Sequence, residues 1–245
     1  MQEFGASGRR EAFALACKLC AWLCGRLCAD PARSFWQQSE DWERAHSNDY
    51  TLWLEAPVED RERAEAALAA FDTDPEASFG LLRELADAGM AWTMETVGSY
   101  YAHDGVVAAD FALAQDYYCR AIEGGSWMAT IGYAKLLARH GDFDGCEAVL
   151  RDGVEQDFIP AWFWLARYRL KQSSRASVCR EVRPLLEHAA DAGHPAAALY
   201  LARLKLLGKF GFREIPAGFR QISKVVEWSS SEASASHDTP AEAAG

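Results

Sequence analysis

Leu82-Arg83-Glu84-Leu85-Ala86-Asp87-Ala88-Gly89 and Leu186-Glu187-His188-Ala189-Ala190-Asp191-Ala192-Gly193 open on the same leucine and close on the same Ala-Asp-Ala-Gly. Two related starts fall between their ends, at Gly125 and Asp157, so the pattern steps by 36, 32 and 36 residues. Periods of about 20–50 residues mark stacked supersecondary units, each too small to bury its own apolar face. A surface built by repetition is suited to binding.

Counting from Gly89, Gly125, Asp157 and Gly193, the fourth residue on is Thr93, Ala129, Ala161 or Ala197. The eighth is Val97, Tyr133, Leu165 or Leu201, and the ninth Gly98, Ala134, Ala166 or Ala202. Small residues flanking a bulky one make a helix face that a neighbour can approach closely. These are the A helices. Each is followed by a B helix, read most clearly from Asp110 through Ala114, Tyr117 and Ala121 to Gly124-Gly125. Asp110 supplies an N-cap and the glycines a left-handed stop. An earlier B helix starts at Asp74 with Pro75 in its first position.

The hairpin that reads Val97-Gly98, Tyr100-Tyr101, Asp104-Gly105-Val106-Val107, Asp110, Ala114, Tyr117-Tyr118, Ala121 and Gly125 resembles the SEL-one-like repeat (SLR) family, relatives of the tetratricopeptide repeats. It departs at Asp104 and Val106, where the family usually has turn glycines. The second unit is shortened near Gly141-Asp142, and the fourth has an altered turn around Gly208-Lys209-Phe210-Gly211. The resemblance implies an all-α fold, a helix-hairpin solenoid or α/α superhelix, serving as a non-enzymatic protein-binding scaffold or adaptor with no cofactor.

Three parts follow: an off-template N-terminal helical cap over 1–73, the repeats over 74–228, and a Ser/Ala-rich acidic tail over 229–245 without a periodic apolar face, expected to be disordered. Helices are expected over 9–28 and roughly 33–71.

Charge is segregated. The stretches 126–141, 158–175 and 194–213 carry bases and no acid, whereas 142–157 carries six acids against Arg151. Ten residues from each start stand Ser99, Lys135, Arg167 and Arg203; fourteen on stand His103, Arg139, Lys171 and Leu207. Spacing of four puts both sets on one face, shared with Trp164 and Tyr200. In helix-hairpin superhelices the A helices line the concave side. The expected site is therefore a basic, partly aromatic groove of Lys135, Arg139, Trp164, Arg167, Lys171, Tyr200 and Arg203, taking an acidic peptide or protein segment. The plainer alternative is a solvated face neutralised by B-helix acids.

Cys17, Cys20, Cys24 and Cys28 share one helical stripe with Phe13, Leu23 and Leu27. They read as small apolar packing residues. The alternative is a thiol-based metal or redox site, although four ligands over eleven residues span about 16 Å, too far for one tetrahedral ion. Cys119, Cys146 and Cys179 read as isolated packing residues.

The balance of 25 basic and 36 acidic residues, net −11, disfavours nucleic acid as partner. No apolar window reaches the length of about 18 residues needed for a membrane span. Arg9-Arg10 and the apolar run after it are faintly signal-like, but Lys18 interrupts them. The expected compartment is the cytoplasm; export, with an anionic polysaccharide as ligand, is the other reading. No phosphate loop, dinucleotide fingerprint, GxSxG or HExxH is present.

Overall fold

The computed structural model describes residues 35–235. The cysteine stripe from Cys17 to Cys28 and the last ten residues of the tail lie outside the described residues. Those described form twelve α-helices and one 3-10 turn, with no strand among them. Three cap helices come first: α1 (Phe35–Ala45), α2 (Asp49–Glu55) and α3 (Val58–Ala70). The A helices are α5 (Ala91–Tyr101), α7 (Trp127–Arg139), α9 (Ile159–Gln172) and α11 (Pro195–Leu206). The B helices are α4 (Pro75–Asp87), α6 (Phe111–Glu123), α8 (Phe143–Glu155), α10 (Ala176–Asp191) and α12 (Ile215–Ala235).

The same turn closes each of the B helices α4, α6, α8 and α10. Gly89, Gly125, Asp157 and Gly193 all have positive φ, at 110°, 88°, 54° and 94°. The N–H of the residue after each donates to a carbonyl five residues back: Met90 to Leu85, Ser126 to Ala121, Phe158 to Gly153 and His194 to Ala189, at 2.8–3.1 Å. The N–H of each turn residue itself donates three residues back, to Ala86, Ile122, Val154 and Ala190. This is the Schellman ending, which satisfies the orphan carbonyls of the B helix and reverses the chain. The next A helix begins two residues after the turn residue every time. The repeat read from sequence is thus a repeat of backbone geometry.

The opposite ends are fixed by caps. Asp74, Asp110 and Asp142 side chains accept the N–H groups of Ala77, Leu113 and Gly145 at the starts of α4, α6 and α8. Ser126 does the same for Ala129 in α7.

Consecutive helices pack as hairpins. Thr93, Ala129, Ala161 and Ala197 are fully buried, as are Ala134, Ala166 and Ala202. Tyr118 of α6 fills a slot between two A helices: a Cβ at Gly98 would lie 3.1 Å from its ring, and one at Gly132 only 2.5 Å. Cys146 and Cys179 are buried, and Cys119 half-buried. At the far end α12 runs to Ala235, past Ser229. The Ser-Ser-Ser-Glu-Ala-Ser-Ala run is polar but holds no Pro or Gly, which lets the helix continue through it.

The described residues divide into two compact units, a central one of residues 44–168 and another in which residues 35–43 join 169–235.

The two helical glycines Gly80 and Gly132 separate packing from propensity. Gly80, in α4, has nothing within 4 Å of a Cβ position, so Gly80→Ala is expected to stabilise by up to about 1 kcal/mol. Gly132→Ala drives into the Tyr118 ring and is expected to cost about 1–3 kcal/mol. Urea unfolding of the two variants checks the opposite signs.

Candidate functional site

The A-helix stripe of the central unit carries Lys135, Arg139, Trp164 and Arg167, and the structure gives each a different task. Trp164 is only 6% exposed. Its ring takes two cations, with Lys135 Nζ and Arg167 Cζ each 4.4 Å from the centroid. Cation–π contact at partly desolvated positions is worth about 0.5–2 kcal/mol. The tryptophan is therefore a base that fixes two charged groups, one from α7 and one from α9, and does not itself lie open as a flat contact. Arg139 is turned to α5, where it donates to the Ala102 carbonyl and meets His103 Nε2 at 2.9 Å. That pairing joins the two residues fourteen on from their turns, so the sequence register held in space.

The same surface is not purely basic. Glu95 of α5 is buried at 8% exposure. Arg44 lies 3.7 Å from it and 2.6 Å from Asp49, which is also buried. Burial raises both carboxyls above their ordinary values; Arg44 opposes this for both, and Lys135 also does so at Glu95. The three acid-free stretches hid this, because the acid comes from the first A helix and the second from the cap.

Sequence reading also missed what covers the stripe. In the central unit α2 packs on α5, with Trp53 and Trp92 edge to face at 5.0 Å. Asn48 clamps the turn into α7: its Nδ2 donates to the Gly125 carbonyl at 2.7 Å, and the Trp127 N–H donates to its Oδ1 at 3.1 Å. In the other unit Trp36 meets Tyr200 at 6.3 Å, and Trp42 meets His194 at 5.0 Å. His194 caps α11, its Nδ1 accepting from the Ala197 N–H at 3.3 Å. Its Nε2 therefore carries the proton and donates to the buried Glu43 carboxylate at 3.2 Å. The expected guest-facing Tyr200 is thus partly taken by the chain itself, while Lys171 and Arg203 are exposed. The signal available in sequence was the row of tryptophans at Trp36, Trp42 and Trp53 in an otherwise polar stretch.

No protein-family model and no curated protein matches the sequence. A crystal structure of a Sel1 repeat protein from Oxalobacter formigenes does match the fold, at a TM-score of 0.55 and 15% identity, over 67% of this chain and 72% of that one. The chain has the Sel1-repeat fold. At that identity the likeness is one of architecture, and it agrees with the turn-by-turn register of the hairpins described above. Among the described residues no helix is long and apolar enough to cross a membrane, and no three His, Cys, Asp or Glu side chains are grouped to hold a metal.

Arg44 serves two buried carboxylates of this Sel1-type array, so its loss should be felt. Discounted for its half-exposed side chain, Arg44→Ala is expected to cost about 1–3 kcal/mol at pH 7. Groups whose folded pKa is raised weaken the fold as pH rises through that value and recover below it. The deficit should therefore shrink as pH falls toward 4.5, the ordinary value for Glu. Denaturation of wild type and variant at both pH values checks this.

Proposed function

We propose that this protein is a non-enzymatic scaffold that captures an acidic segment of a protein partner on the A-helix side of its repeats. The observation that carries the reading is the Lys135–Trp164–Arg167 group, in which two helices present cations over one aromatic ring at equal distance. Fixed cations lose little freedom when a carboxylate arrives, and charge-assisted bonds to them are among the stronger ones. The helical-repeat fold supports a protein partner in general. Lys171 and Arg203, both exposed in the other unit, are proposed as contacts of that unit's own A-helix face. Arg139 contributes by holding α7 to the end of α5, and Tyr200 by seating the cap residue Trp36.

Affinity capture with wild type and an Arg167→Glu, Arg203→Glu variant, eluted with rising salt, tests the proposal. A partner held by wild type, released early by salt and lost by at least tenfold in the variant is the expected result. That loss corresponds to about 1.4 kcal/mol of binding. Equal retention by both proteins, with equal salt dependence, would move the partner off this face.

A further inference from the structure

A second surface carries charge that the fold leaves uncompensated. In the C-terminal hairpin, α10, α11 and α12 enclose an open cleft of about 620 Å³. Its floor is apolar, formed by Ala198 and Leu201 of α11 with Ala217 and Val225 of α12. Three cations converge on it: Lys205 from α11, and Arg220 and Lys224 one turn apart on α12. None of the three has an ion-pair partner among the described residues; Lys205 Nζ donates only to Gln221 Oε1, at 3.1 Å. In a chain of net charge −11, three neighbouring bases without an ion pair among the described residues are out of keeping with the composition.

The acids nearest at hand do not neutralise them. Glu187, on the α10 wall, is already bound to Arg183 at 2.7 Å, and Asp191 stands on that wall without an ion pair to Arg220 or Lys224. The cleft is held open by its own packing. A Cβ at Gly218 would sit 3.0 Å from the Ala202 carbonyl and the Leu206 nitrogen, so α12 is seated on α11 backbone to backbone and has no room to shift inward. The cleft also lies on the opposite face of α11 from Tyr200 and Arg203: residues 198, 201 and 205 follow one helical stripe, and 200 and 203 another.

We infer that this cleft is a second docking site, distinct from the A-helix stripe, for an acidic segment carrying an aliphatic side chain, with the aliphatic group on the half-buried Ala198 and Ala217 over the buried Leu201 and Val225, and carboxylates on Lys205, Arg220 and Lys224. Charge complementarity selects the class. The apolar floor selects aliphatic-containing acidic segments over purely acidic ones. The Asp191 wall adds a repulsive element, so that a guest must place its acids on the α12 side.

The test is fluorescence anisotropy of the full chain with a labelled twelve-residue peptide of alternating Glu and Leu, beside a Glu/Ser peptide of equal charge. The expected result is saturable binding of the Glu/Leu peptide. Measured in a Lys135→Glu, Arg167→Glu background, which removes the stripe as a competing site, that binding weakens at least tenfold when Arg220→Glu and Lys224→Glu are added. The Glu/Ser peptide should bind at least fivefold more weakly. An Ala198→Phe variant fills the cleft without altering charge and should also lose the peptide; its fold is checked by circular dichroism, and the charge variants carry the test if it fails to fold. Indifference to the Arg220 and Lys224 reversals, equal binding of the two peptides, or no binding at low salt would each overturn the inference. Absence of binding in the Lys135→Glu, Arg167→Glu background would do the same and place the peptide on the stripe.

Discussion

The architecture depends on one backbone device, the left-handed residue that closes each of the B helices α4, α6, α8 and α10. At Gly89, Gly125, Asp157 and Gly193 the chain turns through positive φ, two carbonyls of the departing helix find N–H donors, and an A helix starts two residues later. Because the turn has the same geometry every time, the A helices leave it in the same phase. Residues ten or fourteen places on then recur at matching positions on successive A helices. The pairing of Arg139 with His103, and of Lys135 with Arg167 over Trp164, are consequences of that phase. Three of the four turns use glycine, which takes positive φ without steric cost. Asp157 shows that a short polar residue can stand in, as Asn and Asp are the usual exceptions.

Much of this was legible in the sequence because it is local. Asp74, Asp110 and the turn glycines announce helix ends by chemistry that operates within five residues. The buried small residues at Ala129, Ala161 and Ala197 were legible because their spacing is fixed by the helix itself. What was not legible is non-local. Nothing near Asn48 in sequence says that its amide will bridge the turn at Gly125 and Trp127, or that Arg44 will stand between Asp49 and Glu95. The charge pattern was read along the later three A helices only, and Glu95 of the first A helix and Asp49 of the cap supply acids from outside that window.

Trp164 and Tyr200 show the same division. Both were picked out as aromatic members of the stripe, and both lie on the A helices where the register put them. Their solvent exposure depends on neighbours. Trp164 is closed over by two cations, and Tyr200 is met by Trp36 of α1. Two roles result: the tryptophan sets the position of charge, and the cap helices set how much of the neighbouring A-helix surface is open to solvent. On the proposed reading a guest is recognised through fixed cations more than through broad apolar contact, which favours salt-sensitive, selective binding.

The most direct test is a nitrogen–proton NMR titration of the protein with an acidic peptide of its captured partner, following backbone amides and the tryptophan indoles. The account predicts that the shifts centre on α7 and α9 around Lys135, Trp164 and Arg167, with the Trp164 indole among the most perturbed. Shifts confined to the B helices α6 and α8, with the Trp164 indole unmoved, would contradict it.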